Sequence, residues 1–462
     1  MAATKIPKRV TTAVLQSLSA GVVPRAGLEH IAVGRKDEID ALLNDIDHIV
    51  AEGGATFRLI LGRYGAGKSF LCQLIRNYAL QRNFVVMDAD FTPVRRLTGT
   101  QGQGLNLYRE LLANTATRTR PQGGAFSALL ERWINDIQQQ VMQQDGVHPS
   151  TPNFASAVEN RIYATVNQME GMVHSFDFAA VISTYWRSHQ SGDDARKEAA
   201  LRWLRGEYAT KSDAREALGV RVIIDDQTWY DYLKLLAHFV KDIGYRGLVV
   251  FLDEAVNLYK ISNAVSRNNN YERLLGMFND ATQGKAEYLG LVVGATPQMV
   301  EDTRRGLFSY EALRTRLEES RFARTGLRDM SGPMIRLEVL TPEEIFVLLQ
   351  RLREIHGLHH GAESPVTDAQ IERFLNEVHT RLGAEHLLTP REVVRDFIAL
   401  LNIMQQNPGI TFEQVLTRSD FSPGQPASDP DALSPDTDIH DADEPEATNT
   451  TKPASPFTSF EL

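Results

Sequence analysis

Cysteine is almost missing from this 462-residue chain: Cys72 stands alone. No intrachain disulfide can form, and no Cys/His cluster has the spacing of a zinc site. Nowhere do 18 apolar residues run uninterrupted, which excludes an ordinary membrane-spanning helix. The first residues, MAATKIPKRVTTAVLQSL, hold neither a long apolar stretch nor a small-residue cleavage site. These absences predict a soluble, cytoplasmic protein with no membrane partner. A Lys/Arg block that would mark a nucleic-acid footprint is missing too. The net charge of −10 is concentrated at one end: from Ser422 to Leu462 nine acids face only Lys452, so that segment carries −8 and the preceding 421 residues about −2. Local patches, not net charge, set affinity for nucleic acid, so the acidic total does not exclude DNA contact by the body of the chain.

What is present is punctuated apolar sequence. Phe57 to Leu61 (FRLIL), Phe84 to Met87 (FVVM), Gly247 to Leu252 (GLVVFL) and Tyr288 to Val293 (YLGLVV) read as four strands. Continuous apolar runs of this kind suit a parallel sheet covered by helices on both faces, an α/β fold. Between the second and third runs the pattern is helical, including Phe126 to Gln144, Ser156 to Met172 and Trp229 to Val240. That interval is far longer than a crossover helix needs and predicts an inserted helical module. Its Trp133, Trp186, Trp203 and Trp229 are assigned to a core, the ordinary place of aromatics at helical spacing.

Further on, one start signal recurs: Thr341-Pro-Glu-Glu344, Thr367-Asp-Ala-Gln370 and Thr389-Pro-Arg-Glu392 each set a capping threonine three residues before Glu or Gln. Three helices in a small bundle are predicted. After Phe421 the sequence has few large apolar residues and is predicted to be disordered, until SPFTSFEL restores Phe457, Phe460 and Leu462.

The chemistry lies at the strand ends. Gly62-Arg-Tyr-Gly65-Ala-Gly67-Lys68-Ser69 fits the P-loop pattern, with a strand before it and a helix after it. Its glycines let successive N–H groups turn inward around phosphate at a helix N-terminus. Lys68 would reach the β- and γ-phosphates of ATP, and the Ser69 hydroxyl would ligate Mg²⁺. Asp253 and Glu254 follow the third strand, where open α/β sheets bind ligands. Asp253 would hold Mg²⁺ and Glu254 would polarise the attacking water, unless the pair merely caps the next helix. Thr296, in Gly294-Ala-Thr-Pro297 after the fourth strand, is either a sensor hydroxyl near the γ-phosphate or a turn residue.

Taken in order, GRYGAGKS, FLDEA, GATP and Thr389-Pro-Arg391 resemble an AAA+ ATPase of the group that includes origin-recognition and helicase-loader proteins. Gly21-Val-Val-Pro24, Tyr64-Gly-Ala-Gly-Lys-Ser-Phe70, Leu204-Arg-Gly-Glu207 and Arg305 to Leu313 narrow this to a resemblance to the BrxD family, ATP-binding proteins of BREX-type phage-defence systems, over roughly residues 10 to 410. The sequence pattern and the resemblance together divide the chain into an N-terminal helical segment (1–30), an AAA+ core (31–340) with an insertion at about 100–243 and a helical lid (341–420), with the acidic tail (421–462) outside the resemblance. The resemblance implies that Val33, Gly34 and Arg35 contact adenine, that Tyr64, Gly65, Ala66, Gly67 and Phe70 complete the nucleotide loop, and that Arg391 reaches the nucleotide from the lid. Arg316, or else Arg314, would act in trans on a neighbouring subunit's nucleotide. The expected protein hydrolyses ATP, forms homo-oligomers and remodels or loads another defence protein, such as a helicase, on DNA; the alternative is a nucleotide-gated switch or scaffold. No winged-helix pattern follows the lid, so DNA contact would be non-specific.

Overall fold

The computed structural model describes residues 6–167, 174–318, 329–362, 364, 366–382 and 389–418. The acidic segment with SPFTSFEL lies outside the described residues.

Among the described residues five parallel strands form one sheet: β1 (Ala55–Leu61), β2 (Val85–Asp90), β3 (Leu248–Asp253), β4 (Leu289–Ala295) and β5 (Met334–Arg336), in the spatial order β2-β3-β4-β1-β5. The four predicted runs are the four long strands. β2 extends past the predicted Met87 to Asp90, and β5 was not predicted.

Because strand side chains alternate, the apolar runs cover both faces. Leu59, Leu61, Met87, Val250, Leu252, Leu291 and Val293 face one core; Ile60, Val86, Val249, Phe251 and Val292 face another. The second core is closed by α2 (Lys36–Asn44) and α3 (Lys68–Gln81). Among the described residues seven helices between β2 and β3 pack onto the first: α4 (Gln103–Ala113), α5 (Phe126–Gln144), α6 (Phe154–Asn167), α7 (Ser175–Ser191), α8 (Asp194–Leu204), α9 (Lys211–Leu218) and α10 (Trp229–Asp242). All four tryptophans are fully buried there, and replacing one by Ala would cost roughly 3–5 kcal/mol. After β3 come α11 (Val256–Tyr259) and α12 (Ala264–Thr282), and after β4 come α13 (Pro297–Glu301) and α14 (Glu311–Leu317).

A third core joins α1 (Lys8–Ser19) to the C-terminal helices α15 (Pro342–His360), α16 (Asp368–Leu382), α17 (Pro390–Gln406) and α18 (Phe412–Arg418). Thr341 and Glu344 form a complete capping box, and Thr367 with Gln370 bond reciprocally in the same way. The third start signal differs. The Thr389 hydroxyl donates to the Glu392 carboxylate at 3.0 Å and caps no N–H. A fourth signal, missed in the sequence, starts α18: Gln414 N–H donates to Thr411 Oγ1 at 3.3 Å, and Thr411 N–H donates to Gln414 Oε1 at 3.0 Å. Histidines tie this unit together. His356 Nε2 meets Asn402 Oδ1 of α17 at 3.2 Å, and His359 Nδ1 meets the Thr11 hydroxyl of α1 at 3.2 Å. Burial lowers the pKa of both rings, helped by the neighbouring His360.

Candidate nucleotide-binding site

The P-loop leaves β1 at Gly62, whose N–H donates to Ala295 O at the end of β4. Gly65 and Gly67 take φ of 77° and 98°, the left-handed region that side chains other than glycine resist. Gly65 has a second constraint, since a Cβ there would fall 2.8 Å from the Cβ of Thr389. Among the described residues the N–H groups of Gly65, Gly67, Lys68, Ser69 and Phe70 have no backbone acceptor. No acid stands in the first turn of α3. A row of free donors at a positive helix end fits a polyphosphate. Lys68 Nζ lies at the same mouth, donating to Gly62 O at 2.8 Å and Arg63 O at 3.2 Å.

The Ser69 hydroxyl donates to Asp253 Oδ2 at 2.6 Å. β4 lies between β3, which ends at Asp253, and β1, which leads through the P-loop to Ser69, and the carboxylate crosses its end only because position 294 lacks a side chain: a Cβ on Gly294 would sit 2.2 Å from Asp253 Oδ1. A hydroxyl and a carboxylate at this separation are a donor set that suits a hard divalent cation such as Mg²⁺. Asp253 Oδ1 also accepts the Glu254 N–H at 2.8 Å. Glu254 is exposed and adopts φ 57°, a left-handed backbone that costs a non-glycine residue roughly 1–2 kcal/mol. Asp90, unnoticed in the sequence, is Asp253's register partner, and burial together with the Asp253 charge raises its pKa.

Thr296 is buried, and its Oγ1 accepts the Met299 N–H at 3.4 Å as the N-cap of α13. The hydroxyl proton stays available to a further acceptor.

A cleft opens above the loop. Its walls include Leu18, Val22, Val23, Ile31 and Val33 from the N-terminal segment, Phe70 from α3, and Leu340, Leu348 and Val394 from the bundle side; Arg35, Lys68, Glu254 and Arg391 bring charge to it. The apolar sleeve from residues 18–31 had no legible signal beyond the Gly21-Val-Val-Pro24 run. Gly34 turns at φ 69° against the Glu344 carboxylate. Arg35 is buried, and its guanidinium lies on two backbone carbonyls, those of Ala66 and Glu338, and beside Glu38.

Arg391 stacks over the Tyr64 ring at 4.8 Å and donates to the Tyr64 hydroxyl at 2.6 Å, so its partner here is a phenol. Arg314 and Arg316 are exposed on α14 and do not line the cleft of their own chain. Arg316 donates to Asn279 Oδ1 at 3.0 Å and to Ala312 O at 2.8 Å; Arg314 lies 3.9 Å from Glu311.

A parallel α/β sheet, a glycine-rich loop of P-loop sequence at the C-terminal end of β1 and a row of free N–H donors are the features of the P-loop class. The chain belongs to the family described as BREX system ATP-binding protein BrxC/D, which matches residues 6–420. It is thereby an ATP-binding member of a phage-defence system family. No curated protein matches the chain.

Proposed function

We propose that the chain is a Mg²⁺-dependent AAA+ ATPase subunit that assembles with other copies of itself and remodels or loads a partner of the same defence system, plausible partners being a helicase and the DNA it acts on. The observation that carries this reading is the Ser69–Asp253 contact across the end of β4, which joins the P-loop to the acidic strand end as hydrolysis requires. The strand order β2-β3-β4-β1-β5 supports the AAA+ assignment. In this reading residues 31–340 are the ATPase core, with the insertion at about 100–243, and residues 341–420 are a lid over the nucleotide.

Roles follow from placement. The free N–H groups of residues 65–70 and Lys68 hold phosphate oxygens, and Ser69 and Asp253 hold Mg²⁺, which neutralises charge on the phosphates. Glu254, fixed by its backbone next to Asp253, accepts a proton from water. Thr296 offers its remaining hydroxyl proton at the end of β4. Arg316 or Arg314, being outside its own cleft, serves the nucleotide of a neighbouring copy.

A nucleotide-gated switch uses the same site. The cleft is walled by both the P-loop and the bundle, including Pro390, Arg391 and Val394, so occupancy alone is felt by α17. Steady-state ATP turnover, measured with and without DNA and Mg²⁺, separates the two. Turnover that Glu254→Gln abolishes supports the enzyme, whereas tight binding with no turnover under any condition supports the switch.

A further inference from the structure

We infer that Arg35 is a positioning residue that aims the Gly67 N–H at phosphate, and not a contact to the nucleotide base. The inference rests on the nucleotide reading above and deepens it.

The geometry is that of a single peptide plane. Arg35 Nη2 donates to Ala66 O at 3.1 Å, and no peptide among the described residues is cis. In a trans peptide the C=O and the following N–H point in opposite directions. Holding the Ala66 carbonyl toward Arg35 therefore turns the Gly67 N–H away from it, and that N–H has no backbone acceptor. Gly67, at φ 98°, has no side chain to restrain its own rotation, so the direction of this donor needs an external support. The same Nη2 donates to Glu338 O at 2.7 Å, in the segment between β5 and the Thr341 cap of α15. One guanidinium thus fastens the phosphate loop to the segment that leads from β5 into the bundle.

Glu38 supports the arrangement. Its carboxylate is almost fully buried and lies 3.5 Å from Arg35 Nη1. A buried carboxylate balances the guanidinium charge and limits its rotation, while the rigid fork of an arginine lets it reach both carbonyls. A base-contacting arginine would need a free donor edge toward the cleft. The donors of this side chain described above point instead at backbone oxygens and at Glu38.

Competition assays on the full chain test this. A fluorescent ATP analogue would be displaced by ADP, by inorganic tripolyphosphate and by AMP, in the wild type and in Arg35→Met. Loss of one correctly aimed donor to a charged phosphate should weaken ADP and tripolyphosphate by about tenfold or more, and AMP by less than about twofold. Arg35→Lys, which can reach one carbonyl at a time, should recover part of the loss, and Glu38→Gln should reproduce the same selectivity more weakly. Equal weakening of AMP and ADP would assign Arg35 to the adenosine moiety and overturn the inference, as would unchanged tripolyphosphate affinity. If circular dichroism shows Arg35→Met to be unfolded, Glu38→Gln and Arg35→Lys decide by the same ratio. A wild type that binds neither ATP nor tripolyphosphate would instead overturn the nucleotide reading itself.

Discussion

The guanidinium of Arg391 lies over the ring of Tyr64, 4.8 Å from its centroid, and donates to its hydroxyl at 2.6 Å. One residue begins a bundle helix and the other belongs to the P-loop, so a single side-chain pair connects the nucleotide loop to α17. A cation over an aromatic face contributes roughly 0.5–1 kcal/mol when exposed.

Tyr64→Phe keeps the stack and loses the hydroxyl, whereas Tyr64→Ala loses both. Hydrogen exchange at residues 389–394 should therefore change little in the first variant and rise several-fold in the second, roughly as 1 kcal/mol of local stability implies. Equal protection in all three proteins would mean that α17 is held by apolar packing alone.

Lys68→Ala should lose nucleotide affinity, while Glu254→Gln should keep it and lose turnover by about 10² or more, the usual contribution of a positioned general base. Calorimetry and phosphate release read the two halves separately. Normal hydrolysis by Glu254→Gln removes that residue from the reaction.

Gly294→Ala should behave as a Mg²⁺-site lesion although residue 294 touches no ligand. Its new Cβ would occupy the place of Asp253 Oδ1, displacing the carboxylate from Ser69. The expected result is ATP binding that no longer tightens on adding Mg²⁺, as in Asp253→Asn. A fully Mg²⁺-responsive Gly294→Ala protein would show that the carboxylate has another route to the site.

Arg316→Ala should leave nucleotide affinity intact and lower turnover, by up to the ~10³ to 10⁵ that a trans arginine provides. Mixing it with Lys68→Ala should restore part of the activity, because one protein keeps the intact P-loop and the other keeps the arginine. No recovery on mixing, together with a monomer under all nucleotide conditions in mass photometry, would dismiss subunit sharing. If Arg314→Ala alone reproduces the loss, the role belongs two residues earlier.

Acid should loosen the bundle. The folded pKa values of His356 and His359 lie below the ordinary value of about 6.5, so between those values the unfolded chain binds more protons. Their stabilising contribution is complete above about pH 6.5 and is lost as pH falls through the window down to the lowered values. The thermal midpoint should drop between pH 7.5 and 5.5, and less steeply in His356→Gln.

Much of this site could be read before any fold was known, because the P-loop and Asp253-Glu254 are local patterns at the ends of long apolar runs. The runs were legible since strands buried on both faces need no alternation, whereas β5, with Met334, Ile335 and Arg336 only, is too short to stand out. Contacts between distant segments were not legible. Arg35 meets Ala66 and Glu338 only after the chain has folded, so the sequence offered no means of choosing between a base contact and a backbone clamp. Thr389 shows the limit of a local rule, since its spacing fits a cap while its hydroxyl bonds the Glu392 side chain. Conversely, Thr411 and Gln414 obey the same rule and were overlooked.

The cleft draws its walls from residues near both ends of the described chain, and Thr11 bonds His359 across 348 positions. This separation has a meaning in time. On the ribosome, at about 5–20 residues per second, roughly 20–75 s pass between the emergence of Leu18 and that of Val394. The sheet is complete only once β5 has emerged, and at the same rate roughly 3–12 s then pass before Val394 follows. During that time the phosphate loop lacks the wall that closes over it, so a nascent chain cannot enclose a nucleotide until Val394 has emerged.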